Sequence, residues 1–366
     1  MRLNIFHLAL AGAILLAASM LVQSQQITVN SSGVYSGTTA NTLNSWGGKN
    51  VLINGSMAVS QYDATITYAT TRTFTNIYRW NATCGGAGVT SITKATNFLR
   101  TGKRALQAMR ITGNTSVTTV DIDQRIRSAN LAGLLGQVAF SAQIYNDTGG
   151  AFAPVLLMGT PSASDNFTTT TVINNSGAGD ALQSCAASGA WTRVTWTADI
   201  SGYANIANGL QVQLRIPSGS LNAATKYVAI AEVQLEAGSV CTAFEVLPYE
   251  VEASRAQDYV RVYKQDGSAN PNTIALGVSV NTTTVRCPIQ FGKPIYSAPT
   301  LYTSGTLADF QIQGAASTSL PTILTANAWG ANTTWVNSGG SMGTLACQSC
   351  YLNASSNGWV MFRAEP

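Results

Sequence analysis

The chain has 366 residues, room for two or three ordinary domains with sizeable cores. Only 10% of them are charged (20 basic, 16 acidic) against about 25% in typical soluble domains, while 45% are hydrophobic, which excludes a solvated tail. The formal net charge of +4 is spread without a Lys/Arg run, so nucleic acid is disfavoured as a partner. The single histidine, His7, sits in an apolar N-terminal stretch, and this removes imidazole-dependent nucleophiles and histidine metal sites from the remaining chain. Carboxylate chemistry, carboxylate-bound calcium, or binding without catalysis remain.

Residues 1–24 carry Arg2, an apolar run from Leu8 to Val22 and the boundary Val22-Gln23-Ser24, the pattern of a secretory signal peptide. An anchoring tail, or a gene start set upstream of a true start at Met20, fits the same residues. The run is too short for a stable membrane span. Residues 25–44 read as a linker. From 45 to 248, Val, Ile, Thr and Tyr alternate with small polar residues between turns such as Asn54-Gly55 and Asn146-Asp147-Thr148-Gly149-Gly150, which predicts an antiparallel β-sandwich. Pro248 suits a helix start, with Glu250 and Glu252 in the first turn and Arg255 and Arg261 later, so residues 249–264 are expected to form a connecting helix. Residues 265–366 open on a turn cluster and continue as a second, smaller β-sandwich. Of six cysteines, Cys347 and Cys350 form a lone CxxC, read as a local disulfide or two unrelated thiols, because structural zinc needs four ligands.

Several stretches carry a resemblance: Ile53-Asn54-Gly55-Ser56-Met57 with Ile77-Tyr78-Arg79-Trp80, then Asp123-Gln124-Arg125-Ile126, then Val233-Gln234-Leu235-Glu236-Ala237-Gly238-Ser239-Val240 with Phe244-Glu245, Pro248-Tyr249 and Ala256-Gln257-Asp258-Tyr259. Over residues 45–263 this order resembles the carbohydrate-binding-module-like jelly rolls of bacteriophage and prophage tail-fibre proteins. The chain departs from the pattern at Tyr78, Val246 and Asp258. The resemblance implies an all-β jelly-roll fold and a non-catalytic virion protein that recognises glycan on the host surface.

Aromatic rings are natural platforms for the C–H faces of sugars. Trp46, Tyr78, Trp80, Trp191 and Trp196 are the candidates in the first sandwich. Trp80 is preferred because Arg79 and Asn81 flank it with donors. In the last domain Trp329, Trp335 and Trp359 sit among Gly, Asn, Ser and Thr, the setting of recognition loops, and Trp329 and Trp335 are the expected platforms for a neutral glycan. Plugging the core is the competing role for each of these rings. Asp121 and Asp123 share a strand face and read as a solvated strand edge rather than a glycosidase pair, which needs acids from opposite sides of a cleft. Glu232 and Glu236 could join a backbone carbonyl to hold Ca2+.

The leading expectation is a phage virion component, a tail fibre or receptor-binding protein, with host cell-surface polysaccharide and other virion tail proteins as partners. An exported bacterial carbohydrate-binding protein of prophage origin is the alternative, and a carboxylate-based glycan hydrolase ranks last. A homotrimer is expected, with Val251, Ala256, Tyr259, Val260 and Tyr263 as an apolar stripe for packing on symmetry copies or on the sandwich.

Overall fold

In the computed structural model of the chain, residues 49–60, 71–96, 107–131, 133–134, 136–173, 179–186, 189–265, 271–312, 315–337, 342, 345–353 and 358–366 are described, with a short strand pair, β1 (Thr28–Val29) and β2 (Tyr35–Ser36). The apolar segment 1–24, most of the linker expected at 25–44 and Trp46 lie outside the described residues. No described helix is long and apolar enough to cross a membrane.

The first sandwich is built from β3 (Thr73–Phe74), β4 (Asn81–Gly86), β5 (Ser91–Ala95), β6 (Ala108–Thr112), β7 (Val117–Arg127), β8 (Gln137–Asp147), β9 (Val155–Ala163), β10 (Asn166–Val172), β11 (Asp180–Ala181), β12 (Ala190–Asp199), β13 (Gly209–Ile216) and β14 (Tyr227–Ala237). One sheet runs β10-β9-β13-β7-β4-β3, with β11 on β9, and the other runs β12-β8-β14-β6-β5. Period-2 patterning decides which side chains meet between the sheets. Val138, Phe140, Ala142 and Ile144 of β8 point into one core with Ile122 and Ile126 of β7 and Leu210, Val212 and Leu214 of β13. Trp80 joins that core.

The last strand of this sandwich changes phase. Val228 and Ile230 face the core in its first half, Val233 and Leu235 in its second, because a β-bulge lies between Ala231 and Gln234, with Glu232 at a left-handed φ of 50°. The 50–55 segment supplies partners for the backbone there. Asn50 Nδ2 donates to the Val233 carbonyl (2.9 Å), the Leu235 amide donates to Asn50 Oδ1 (3.0 Å), and the Val233 amide donates to the Gly55 carbonyl (3.0 Å). Gln124 clamps the same segment, accepting from the Ile53 amide (2.7 Å) and donating to its carbonyl (2.9 Å). The three stretches that carry the family resemblance therefore meet at one place in the fold.

Beyond Gly238 the chain turns back and covers one end of the outer face of β14. Glu236 accepts from the Thr242 amide (2.8 Å) and hydroxyl (2.7 Å), and Gln234 accepts from the Glu245 amide (2.8 Å). The predicted helix then forms as α1 (Tyr249–Gln257), shorter than the expected 249–264. Residues Val260–Lys264 leave it as strand β15, since β-branched Val260 and Val262 sit in register with Arg363 and Met361 of the C-terminal strand. Glu252 of α1 accepts from the Asn54 amide (2.7 Å) and Arg255 donates to the Asn50 carbonyl (3.0 Å), so the helix is fixed to the same 50–55 segment. The expected apolar stripe is consumed within the chain except for Val251, which is exposed. Ala256, Tyr259 and Val260 pack against Ile53, Trp359 and Met361.

The remaining strands are β16 (Asn272–Ser279), β17 (Thr284–Gln290), β18 (Thr300–Thr303), β19 (Phe310–Ile312), β20 (Ala315–Ala316), β21 (Thr322–Asn327), β22 (Gly330–Val336), β23 (Cys347–Leu352) and β24 (Trp359–Arg363). They form a sheet in the order β20-β19-β23-β16-β17-β22-β21 and a smaller one, β15-β24-β18, around Val285, Ile289, Phe310, Trp335, Leu352 and Phe362. Cys350 bonds to Cys287, 63 residues away, and Cys347 is exposed, so the CxxC is not a local disulfide. The bridge passes over β16, where Gly277 is required: a Cβ there would lie 2.8 Å from Cys287 Sγ.

β24 is buried on both faces, Val360 and Phe362 towards the second core and Trp359 and Met361 towards α1. Directly after it, Glu365 enters a cluster of guanidinium groups. Arg79 (3.0 Å), Arg72 (3.4 Å) and Arg363 all pair with its carboxylate, and Asn81 donates a further bond (3.0 Å). Burial alone would raise the Glu365 pKa, but Arg363, Arg79 and Arg72 together hold it well below the usual carboxylate range.

Two outcomes follow from this architecture. Gly55→Ala places a methyl group on the Val233 carbonyl, and a loss of roughly 1–3 kcal/mol in urea unfolding is expected, the cost of overpacking. Glu365 is depressed in the fold, so its contribution is complete above the ordinary glutamate range and is lost as pH falls below it. Glu365→Gln should cost about 3–5 kcal/mol at neutral pH, because it leaves buried cations unpaired. The variant should also lose part of the acid dependence of thermal stability expected of the parent chain.

Candidate functional site

The outer face of the five-stranded sheet brings together side chains far apart in sequence. In register across it lie Trp191 of β12, Tyr145 of β8, Ala229 of β14, Arg110 of β6 and Thr93 of β5. Asp147 and Tyr227 form the neighbouring row, and Arg193, Gln143 and Ala231 the row beyond. The Tyr145 ring lies 5.4 Å from that of Trp191 and is stacked on Tyr227 at 5.8 Å with an interplanar angle of 18°. The Arg110 guanidinium covers the other side of this group, 4.0 Å from the Tyr227 ring centre. Ala108, Ala229 and Ala231 are the floor, fully buried beneath half-exposed Tyr145 and Trp191. Small floor residues are what allow large rings to lie across a sheet instead of standing clear of it.

The electrostatics of this face are mild. Burial, then hydrogen bonds to Tyr145 and Asp147, push the Tyr227 hydroxyl well above its ordinary value, so it stays a neutral donor and acceptor. Gln143 Oε1 and Arg110 Nε have no hydrogen-bond partner in the protein. Rings beside a guanidinium and a carboxylate can take the C–H face of a sugar and the edge of its hydroxyls.

The second candidate is Trp329. With Ala328 it forms the tip of the β21–β22 hairpin, held by bonds to Asn327 Oδ1 from the amides of Trp329 (2.8 Å) and Gly330 (3.1 Å). The Phe291 and Ile295 amides donate to the Trp329 and Ala328 carbonyls, so the backbone is fixed while the indole is 62% exposed. Beside it lies a groove of about 260 Å3 lined by Gln290, Thr325, Asn327 and Asn332.

Other expected site residues have different places. Trp80 is only 2% exposed, and its indole N–H donates to the Asn54 carbonyl (3.0 Å), so neither ring face is open to a sugar. Arg79 is buried between the Glu365 carboxylate, the Arg125 carbonyl and the Tyr259 ring (3.6 Å), and it joins the two sandwiches instead of facing solvent. Trp335 is fully buried, its edge on Phe310 and its N–H on Thr333 Oγ1 (2.9 Å). Trp359 is buried as well, and the Trp196 indole donates to Asp180 (2.6 Å). The core role holds for Trp80, Trp335 and Trp359.

The carboxylates are also accounted for. Asp121 and Asp123 are not a solvated edge, because β7 lies between β13 and β4. Asp121 pairs with Arg215 (2.7 and 2.9 Å) and Asp123 with Arg72 (2.7 to 3.0 Å). For calcium, the oxygens of Glu236 are engaged by Thr242 and Gln234, and the bulge breaks the alternation that would set Glu232 on the same face. No group of three or more His, Cys, Asp or Glu able to hold a metal occurs among the described residues.

No protein-family model matches the chain, and no curated protein sequence does. Solved structures similar to it include the enzymatically active domain of tailspike protein 4 from bacteriophage CBA120 (11% identity, 51% of this chain and 21% of that one, TM-score 0.33). The CBM22-1 xylan-binding domain of Paenibacillus barcinonensis Xyn10C is another (14% identity, 50% and 100%, TM-score 0.29), as is the C-terminal family 22 carbohydrate-binding module of Clostridium thermocellum Xyn10B (10% identity, 50% and 99%, TM-score 0.30). The chain spans about a fifth of the tailspike domain's length. At these scores no functional argument passes from the three to this chain.

Proposed function

We propose that the protein is a non-catalytic glycan-binding component of a phage virion, a tail fibre or receptor-binding protein. The observation that carries the glycan part is the aromatic and arginine platform on the five-stranded sheet. Half-exposed Trp191 and Tyr145 supply contiguous rings over an alanine floor, bordered by Tyr227 and the Arg110 guanidinium. The virion part rests on the family resemblance of residues 45–263 and makes host cell-surface polysaccharide and other tail proteins the partners. The exported alternative rests on residues 1–24, and N-terminal sequencing of native protein separates the two, since a chain starting at Gln25 favours export.

The Trp329 groove is the second binding surface under this reading. Its lining is amide- and hydroxyl-rich and carries no charged side chain, which suits a neutral sugar. Copies of one chain would raise avidity, and light scattering should give a homotrimer; a monomer at micromolar concentration contradicts that assembly.

Titration of neutral oligosaccharides into the purified chain tests the binding sites. Trp191→Ala should weaken binding roughly tenfold or more, matching the ~1.5–3 kcal/mol of one large buried side chain. Trp329→Ala should reduce binding on the same scale for ligands that use the hairpin groove. Unchanged affinity in folded Trp191→Ala protein removes the platform as the site.

A further inference from the structure

A cleft of about 300 Å3 opens between the two sandwiches, bordered by Arg72, Phe74 and Arg125 of the first and by Tyr302, Arg363 and Glu365 of the second. This is the small end of ligand pockets and suits a single sugar ring. Four guanidinium groups crowd around it, counting Arg79 behind Glu365. Asp123 and Glu365 are the side-chain acids they pair with. Even with the carboxyl group of Pro366 counted as an anion, one positive charge is left over.

Arg125 is the cation of the four that pairs with no side-chain acid. It donates to the backbone oxygens of Pro366 (3.0 Å) and Phe167 (3.1 Å), and its Nε has no acceptor. Arg363 Nη1 and Arg79 Nε are likewise buried without an acceptor. Burial, followed by the nearby Arg72 charge, lowers the Arg125 pKa to about 10, so the group is still a cation at neutral pH. Excess positive charge beside the cleft is electrostatically costly, and an anion in the cleft relieves it.

Part of the cleft wall is aromatic. Tyr302 is exposed and meets Phe74 edge to face at 4.9 Å, and the Arg363 guanidinium lies 5.1 Å from the Phe74 ring centre. An inorganic anion has no use for such a wall, whereas a pyranose has an apolar C–H face to lay on it. We propose that this cleft binds an acidic sugar residue, its carboxylate towards Arg125 and its ring on Tyr302. The site is separate from both the platform and the Trp329 groove.

Calorimetric titration of the intact chain with glucuronate, and with inorganic sulfate as the ring-free anion, tests this. Glucuronate is expected to bind, with affinity that falls as salt rises. Arg125→Gln should weaken it roughly tenfold or more, the scale of one hydrogen bond to a charged group, while neutral oligosaccharide binding stays at the parent level. Tyr302→Ala, at an exposed position, should weaken glucuronate and leave any sulfate binding unchanged. Absence of glucuronate binding overturns the proposal, as does an Arg125→Gln protein that folds and binds it normally. Sulfate binding as tight as glucuronate, with both insensitive to Tyr302→Ala, also overturns it. Loss of glucuronate binding in Trp191→Ala would move the acidic sugar to the platform, and loss of neutral-glycan binding alone leaves the cleft standing.

Discussion

The bulge in β14 is the constraint on which the remaining structure depends. An extra residue in a central strand leaves backbone groups unpaired in a buried place, and these need partners. Asn50 and Gly55 supply them, which fixes the 50–55 segment across the end of the sandwich. That segment in turn holds Gln124 of β7 and the two buried charges of α1, Glu252 and Arg255. The helix direction sets where β15 begins, and β15 pairs with β24, the strand shared by two cores. A local irregularity in one strand thus orients the second sandwich on the first.

The same bulge divides the outer face of the five-stranded sheet into two regions. On its C-terminal side Gln234 and Glu236 are covered by residues 241–245, and their polar atoms are used within the chain. On its N-terminal side Ala229 and Ala231 form a low floor, and rings from the neighbouring strands lie over it. Without the phase change, core and outer residues in one half of β14 would exchange faces. The platform is therefore a consequence of how the strand is interrupted as much as of which aromatics it carries.

Much of the architecture was legible in the sequence, because alternation and turn residues act locally. The strand-rich halves, a helix beginning after Pro248 and the importance of the Asn54-Gly55 and Gln234 to Gly238 stretches follow from such signals. The helix end did not, since Val260 and Val262 become strand only by pairing with β24, 100 residues later. The tryptophans show the same limit. Flanking donors favoured Trp80, yet Arg79 and Asn81 serve Glu365, and no neighbour in sequence announces that contact. Trp191 carried no such mark. Its partners Tyr145 and Tyr227 lie on other strands, and only register brings them together; paired Ala229 and Ala231 alternating outward on β14 were the available signal. Trp329 and Trp335 sit six residues apart in similar company, and the hairpin turn separates their fates.

The chain carries few charges, and a large share of them is used inside. Arg79, Arg255, Arg261 and Arg363 are buried, and Arg72 and Arg215 are paired to Asp123 and Asp121. Each holds one segment to another by hydrogen bonds with fixed direction, something apolar contacts do not provide. The sites at the surface divide accordingly. The platform and the hairpin groove are built mainly from rings, amides and hydroxyls, whose attraction for a sugar depends little on salt. The cleft lies where the internal guanidinium network reaches the surface, so the selectivity proposed for it is electrostatic. Under the proposed readings, one fold serves the shape of a neutral saccharide and the charge of an acidic one at separate places, with the charged site built from the residues that join the two sandwiches.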